Sequence, residues 1–243
     1  METKDLRILW EDNHLIVCVK PPGVLSQADG KDLPDMLTLL KAYVKERYHK
    51  PGNVYIGLIH RLDLNVGGVM AFAKTSKAAS RLSESIRGGE FAKRYYAVVN
   101  GILPVGEQKR WEDRLDKDEE TKTAFVAEKG RGKEAALTFT VLETIAVGGA
   151  ILSLVDIELH TGRFHQIRIQ FASRGFPLYG DQKYGKKLPK GQEEGLGLFA
   201  YRLDFQHPVT HSPLSFSLNP QSGVFRLFSR FHETAKTKEG PSL

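Results

Sequence analysis

Residues 57–74 constrain the fold more than any other stretch of the chain. Gly57-Leu58-Ile59-His60-Arg61-Leu62-Asp63 is followed, three residues on, by Gly67-Gly68-Val69-Met70-Ala71-Phe72-Ala73-Lys74. An apolar approach delivers one carboxylate beside an arginine, and a glycine pair then leads into a second apolar run. This is a pattern for presenting a single acid at a tight bend between two buried segments. Paired glycines at such a point imply a close backbone approach or a backbone angle that other residues avoid.

About a hundred residues later comes Leu159-His160-Thr161-Gly162-Arg163-Phe164-His165-Gln166-Ile167-Arg168. Together the two segments resemble the signature of the RluA family of RNA pseudouridine synthases. The likeness extends in the family's order along most of the chain. Ile8 to Asp12, then Leu15 to Gly23, is similar to its opening strand and KPxG loop, and Lys93 to Gly101 to its KxYxAxVxG segment. Phe176 to Asp181 is similar to the hydrophobic-Gly-Asp element after the HQIR helix. Ala200 to Leu203, with His207 to Thr210, is similar to the closing strand and its loop. One departure stands out. Family members usually continue HRLD through a polar turn into Thr-Ser-Gly, whereas here Val66 and Gly67 replace the two hydroxyl residues. Such hydroxyls support turns through bonds to the backbone, so the rigidity of the loop after Asp63 is in question.

The resemblance implies a uridine-to-pseudouridine isomerase. It would flip a base out of structured RNA, break the C1′–N1 bond and rejoin the base through C5, with no cofactor and no metal. It implies that Asp63 is the catalytic carboxylate. It implies that Arg168 pairs with that acid, a guanidinium favouring the charged form of a half-buried carboxylate. Tyr95 is implied to pack against the target base, which needs a planar partner, and to take part in proton transfer. Arg61 is implied to contact RNA and to occupy the space the nucleotide leaves. Lys20, Arg163, His165 and Gln166 are candidates for phosphate or base contacts. The implied fold is α+β: a mixed, mostly antiparallel sheet with flanking helices and a central cleft. The implied partner is a stem-loop of ribosomal or transfer RNA, bound by a monomer without an obligate protein partner.

Composition agrees with these expectations without demanding them. The chain carries 35 basic and 29 acidic residues, a formal net charge of +6, which suits a nucleic-acid partner but also an ordinary basic protein. Cys18 is the only cysteine and lies in the apolar run Leu15 to Val19, the setting of a buried structural thiol rather than a nucleophile. No apolar run is long enough to span a membrane, and the N-terminus has no signal-peptide core, so the expected location is the cytoplasm. His160 and His165 have neither the HExxH spacing nor a cysteine pair beside them, and the glycine pairs are not phosphate loops. The alternative to an enzyme is an RNA-binding or chaperone protein that has kept the fold and lost activity, a reading that the Val66-Gly67 departure keeps open.

Along the chain, residues 1–7 read as a polar lead, 8–233 as one catalytic domain without a preceding RNA-binding domain, and 234–243 as a disordered tail. Asp32 is placed to cap a helix starting near Leu33-Pro34, with Leu33, Met36, Leu37, Leu40 and Val44 at helical spacing. Thr75 or Ser76 caps a helix through Arg87 that Gly88-Gly89 ends. Tyr95 to Val99 reads as a strand, with Tyr96 facing away from Tyr95. Lys109 to Lys133, poor in large apolar residues, reads as a solvent-facing excursion with one strand from Lys122 to Val126. Ala136 to Leu142 and Ala150 to Leu159 read as paired strands, Phe164 to Ser173 as a helix, and Lys183 to Glu194 as a lysine-rich loop.

Overall fold

The computed structural model describes residues 2–30, 32–185 and 195–232. The expected disordered tail, and the part of the lysine-rich loop from residue 186 on, lie outside the described residues. In chain order the elements are β1 (Arg7–Glu11), β2 (Leu15–Lys20), α1 (Met36–Arg47), β3 (Gly57–Leu58), β4 (Gly67–Ala73), α2 (Ser76–Gly88) and β5 (Ala92–Asn100). There follow β6 (Gln108–Asp118), β7 (Thr123–Val126), β8 (Lys133–Val147), β9 (Ala150–Leu159), α3 (Gln166–Ala172), β10 (Leu198–Gln206) and β11 (Pro213–Ser217). The strands form one sheet in the order β1-β2-β4-β10-β5-β9-β8-β6-β7, with β3 on β4 and β11 on β10. Among the strands of the described residues only β4 and β10 pair in parallel, so the mixed, mostly antiparallel α+β architecture is the one expected. No helix among the described residues is long and apolar enough to cross a membrane.

Strand alternation builds the layers. From β4, Met70 and Phe72 enter one core with Met36, Leu40 and Val44 of α1 and Ile167 and Phe171 of α3. Val69 and Ala71 of the same strand enter a second core with Leu82 of α2. From β5, Tyr95, Ala97 and Val99 join the first core. Tyr96 and Val98 face the opposite side, where Tyr96 stacks on Tyr201 at 3.9 Å between ring centroids. The glycine pair is explained by β10. Gly68 has φ +138°, and a methyl group there would overlap the backbone of Ala200.

Helix α2 starts and stops as expected, with Thr75 Oγ1 accepting from the Ala78 amide and Gly89 in the left-handed conformation. Helix α1 is capped by Asp35, whose Oδ1 accepts from Thr38 N at 3.0 Å, rather than by Asp32. Leu33 stays outside the helix and is exposed. The excursion from Lys109 holds a long strand that the sequence did not suggest. β6 packs its inner face with Trp111, Asp113 and Leu115 instead of a run of apolar residues. Trp111 packs on Phe139 and Phe171, and Asp113 accepts from Arg174 at 3.0 Å and from Gln170 Nε2 at 2.7 Å.

Candidate active site

A cleft of 560 Å³ opens where the Ile59–Asp63 segment, the start of β5 and the Leu159–Arg168 segment converge. Two sequence regions a hundred residues apart meet here because β5 lies between β10 and β9, and β9 leads into α3. Asp63 is the only acidic residue lining the cleft among the described residues; Arg61, Arg87, Lys93, Arg163 and Arg168 are its cations.

The Asp63 side chain is 30 % exposed, and its Oδ2 accepts from Arg168 Nη1 at 3.2 Å. Arg168 is itself held from behind. Its Nε and Nη2 donate to the two oxygens of Asp181 at 2.7 and 2.8 Å, a bidentate pair with planar guanidinium geometry. Asp181 Oδ1 also accepts from the amides of Lys183 and Tyr184. Burial would raise the pKa of Asp181. The bonds and charge of Arg168, with those two amides, overcome it and hold the carboxyl below the usual range. A buried chain thus runs from the Lys183–Tyr184 backbone through Asp181 and Arg168 to Asp63.

His165 occupies the other side of the acid. Its backbone is left-handed (φ 50°), so the helix begins at Gln166 and Phe164 and His165 precede it. The helix expected from Phe164 to Ser173 is therefore corrected to Gln166–Ala172. The turn nevertheless brings His165 Nε2 to 3.6 Å from Asp63 Oδ2. Burial pulls the imidazole pKa down to about 4, with Asp63 opposing and Arg168 and Lys183 adding to the fall, so the ring is neutral at pH 7. Tyr184 explains its tautomer. The hydroxyl oxygen accepts from Ala124 N and lies 2.8 Å from His165 Nδ1, and with that acceptor role filled the O–H is assigned as the donor to Nδ1. The ring proton then sits on Nε2, toward the acid.

Tyr95 forms a wall of the cleft. Its ring is buried, and its hydroxyl bonds to none of the described residues. Burial first, and then the negative charge of Asp63, push its pKa above the ordinary phenol value, so Tyr95 keeps its proton at neutral pH. Arg61 lies exposed at the rim, unpaired with Asp63. Arg163 is also exposed, and its Nε donates to Glu134 O at 2.7 Å.

Two residues read as RNA contacts lie inside instead. Lys20 is fully buried, and its Nζ donates to the carbonyls of Pro21, Val24 and Leu64 at 3.1, 2.6 and 3.0 Å. Gln166, 3 % exposed, knits the loop before α3. Its Oε1 accepts from Thr161 Oγ1 and Arg163 N, and its Nε2 donates to Ala136 O and Gln170 Oε1. Both satisfy buried backbone groups and leave no donor directed at a ligand. Asp181, Tyr184 and Lys93 belong to the site and were not singled out from sequence. Lys93 carries a usable signal, since it stands two residues before Tyr95 and shares its strand face.

Comparison with known proteins sets this geometry in context. A family model described as RNA pseudouridylate synthase matches residues 14–173. Ribosomal large subunit pseudouridine synthase D of Neisseria meningitidis is 31 % identical over 239 residues, covering 94 % of this chain and 62 % of that protein. This chain thus spans under two thirds of the Neisseria protein's length. The Bacillus subtilis protein named uncharacterized RNA pseudouridine synthase YlyB is 32 % identical, covering 88 % of this chain and 69 % of its own. Among solved structures, human RNA pseudouridylate synthase domain containing 1 superposes with a TM-score of 0.71 at 21 % identity, covering 90 % of this chain and 85 % of that one. At that identity the likeness is one of fold.

Proposed function

This chain belongs to the RNA pseudouridylate synthase family, and we propose that it isomerises uridine to pseudouridine in RNA, with Asp63 as the catalytic carboxylate. The observation that carries this reading is the lone carboxylate, among the described residues, in a cleft whose other charged residues are all cations, held in place by a buried arginine. A negatively charged backbone is drawn to such a rim, and the single acid meets the sugar or base of whichever nucleotide enters.

In this reading a uridine leaves its stack and places its uracil against Tyr95. The Asp63 carboxylate assists cleavage of the C1′–N1 bond. The detached uracil turns within the cleft and rejoins the sugar through C5; the proton lost from C5 is balanced by one taken up at N1, so the product is an isomer of the substrate. Arg168 orients Asp63 through its 3.2 Å bond and sets a positive charge beside it. Tyr95, which retains its proton, acts as a stacking surface and a donor rather than as the base. Arg61, exposed at the mouth, fills the gap in the RNA. Flipping costs least for a base that is already unpaired, so the substrate is a stem-loop, bound by one protein molecule. The name of the Neisseria relative makes ribosomal RNA the first substrate to test.

Mapping pseudouridine in total RNA with and without the gene identifies the target. The purified chain is then assayed on that stem-loop under single-turnover conditions. Asp63→Asn is expected to abolish conversion while leaving the melting temperature close to that of the parent, since Arg168 keeps Asp181. Conversion by the Asn variant at the parent rate would refute the role of Asp63. RNA binding without conversion by the parent would favour a binding protein.

A further inference from the structure

Lys93 is 8 % exposed, yet its ammonium lines the cleft and has no hydrogen-bond acceptor and no carboxylate partner among the described residues. Buried charges are normally paired, because desolvating one without a partner is costly. Lys20 shows the ordinary solution in this same protein, with three carbonyl acceptors. Lys93 has no such set.

The surroundings leave room for an anion. A Cβ added at Gly162 would stand 3.7 Å from Lys93 Nζ, so the missing side chain keeps that approach open. A second donor of the cleft lining is also unsatisfied. His60 Nε2 accepts from Ala71 N at 3.1 Å, which puts the ring proton on Nδ1, and Nδ1 is buried without a partner. Neither group can serve the other, because both are donors. Burial lowers the pKa of Lys93, the direction that an arriving anion would reverse.

Position selects the anion. Lys93 and Tyr95 are two residues apart on β5 and share a face, which sets their Cα atoms about 6.7 Å apart. A base against Tyr95 and a phosphate at Lys93 are related as the two ends of one nucleotide, with the sugar between them near Asp63. An ammonium suits a phosphate as a point charge.

We propose that Lys93 binds the backbone phosphate of the nucleotide whose base lies against Tyr95, and so sets which nucleotide reaches Asp63. The proposal rests on the isomerase reading, and its test separates the two. The full chain is titrated with uridine 5′-monophosphate and with uridine, followed by NMR of the Lys93 and Gly162 amides. The parent is expected to prefer the monophosphate by roughly ten- to a hundredfold, the worth of a charged hydrogen bond. Lys93→Met is expected to erase the preference, and Lys93→Arg to keep most of it. Equal binding of the two ligands by the parent, no binding of either, or a preference that survives in Lys93→Met would overturn it.

A second arm changes the RNA as well as the protein. A stem-loop substrate carrying a neutral methylphosphonate at the linkage flanking the reactive uridine should lose a similar factor with the parent and little further with Lys93→Met. Full losses from both changes together would also overturn the proposal. A Lys93-dependent monophosphate preference without isomerisation of any RNA would retain the phosphate site and remove the isomerase reading. Isomerisation that is unaffected by Lys93→Met would do the reverse.

Discussion

Replacing Asp181 by Asn should damage the protein far from solvent and slow it at a distance. The Asp181 side chain is completely buried and that of Arg168 is 10 % exposed. The substitution keeps one oxygen for the backbone amides and removes the charge facing the guanidinium. Breaking a buried ion pair from one side costs about 3–5 kcal/mol. The lower end applies here, because Arg168 retains Asp63 at 3.2 Å. For a chain of this size about 3 kcal/mol lowers the Tm by roughly 6–12 °C. Thermal and urea unfolding at pH 7 measure it. The pH dependence identifies the cause. The pKa of Asp181 is depressed in the folded state. Its stabilisation is therefore complete above the unfolded aspartate value of about 3.9 and is lost as pH falls through the depressed folded value. The gap between parent and Asp181→Asn should close in that acid window and nowhere above it. Removing Arg168 as well, in Asp181→Asn with Arg168→Met, should cost less than the two single losses added, because neither member of the buried Arg168–Asp181 pair is left charged without the other. In turnover, Asp181→Asn should lower kcat about tenfold or more with little change in RNA affinity, since Arg168 is free to shift relative to Asp63. A variant that melts within about 2 °C of the parent, or a stability gap that persists unchanged into acid, would refute the reasoning.

Tyr95→Phe keeps the aromatic wall and removes only the hydroxyl. If that hydroxyl moves a proton, single-turnover conversion should fall on the order of a hundredfold with RNA binding intact; an unchanged rate would leave Tyr95 as a stacking surface alone. Stability should also respond to pH above the carboxylate range. Burial holds His60 down to about 3, with the Lys93 charge adding to it, and His165 down to about 4, whereas an unfolded histidine titrates near pH 6.5. The unfolded chain therefore binds more protons between those values, and stability is complete above about pH 6.5 and declines as pH falls toward 4 and then 3. Melting curves from pH 7 to 4.5 that do not move would contradict the neutral, buried state of both rings.

The elements legible in the sequence were those whose side chains obey one periodicity. β4 and β5 alternate apolar residues between two cores, and α2 has a Thr cap and a terminal Gly. β6 escaped because its inward face includes Asp113, whose charge is neutralised by Arg174 only in the folded chain. Asp32 and Asp35 are equally good caps by composition, and the isolated bridge from Leu25 to Asp35 decides between them. Within the site, Asp63, Tyr95, Arg168 and His165 converge as their motifs suggested. Lys20 and Gln166 misled because residue type reports donors and not burial. Asp181 was noticed only as part of a motif. Its role depends on a fold that returns the chain behind Arg168, and no local pattern contains that information.

The loop that carries the acid shows how the protein replaces what its sequence lacks. With Val66 and Gly67 in place of hydroxyl residues, the turn after Asp63 cannot be tied by its own side chains. It is tied by neighbours instead. Ser26 Oγ donates to Leu62 O and accepts from Leu62 N, at 2.8 and 3.0 Å, on the near side of the acid. On the far side, Leu64 O accepts from both the Lys20 ammonium and Gly23 N. Val66 N closes back on Asp63 O at 3.0 Å, and the Val66 side chain is buried in the first core. A hydroxyl at position 66 would enter that apolar packing, and even a methyl at Gly67 would press on Pro22 at 3.1 Å. The two replacements are thus consistent with the clamp around them. Lys20 is its one charged member. Burial draws its pKa down to about 8, while the charge of Asp63 works in the other direction, and its three carbonyl acceptors favour the ammonium in the same sense. The lysine expected to hold RNA instead holds the loop that holds the acid, and the rigidity that Asp63 needs comes from a segment about forty residues earlier in the chain.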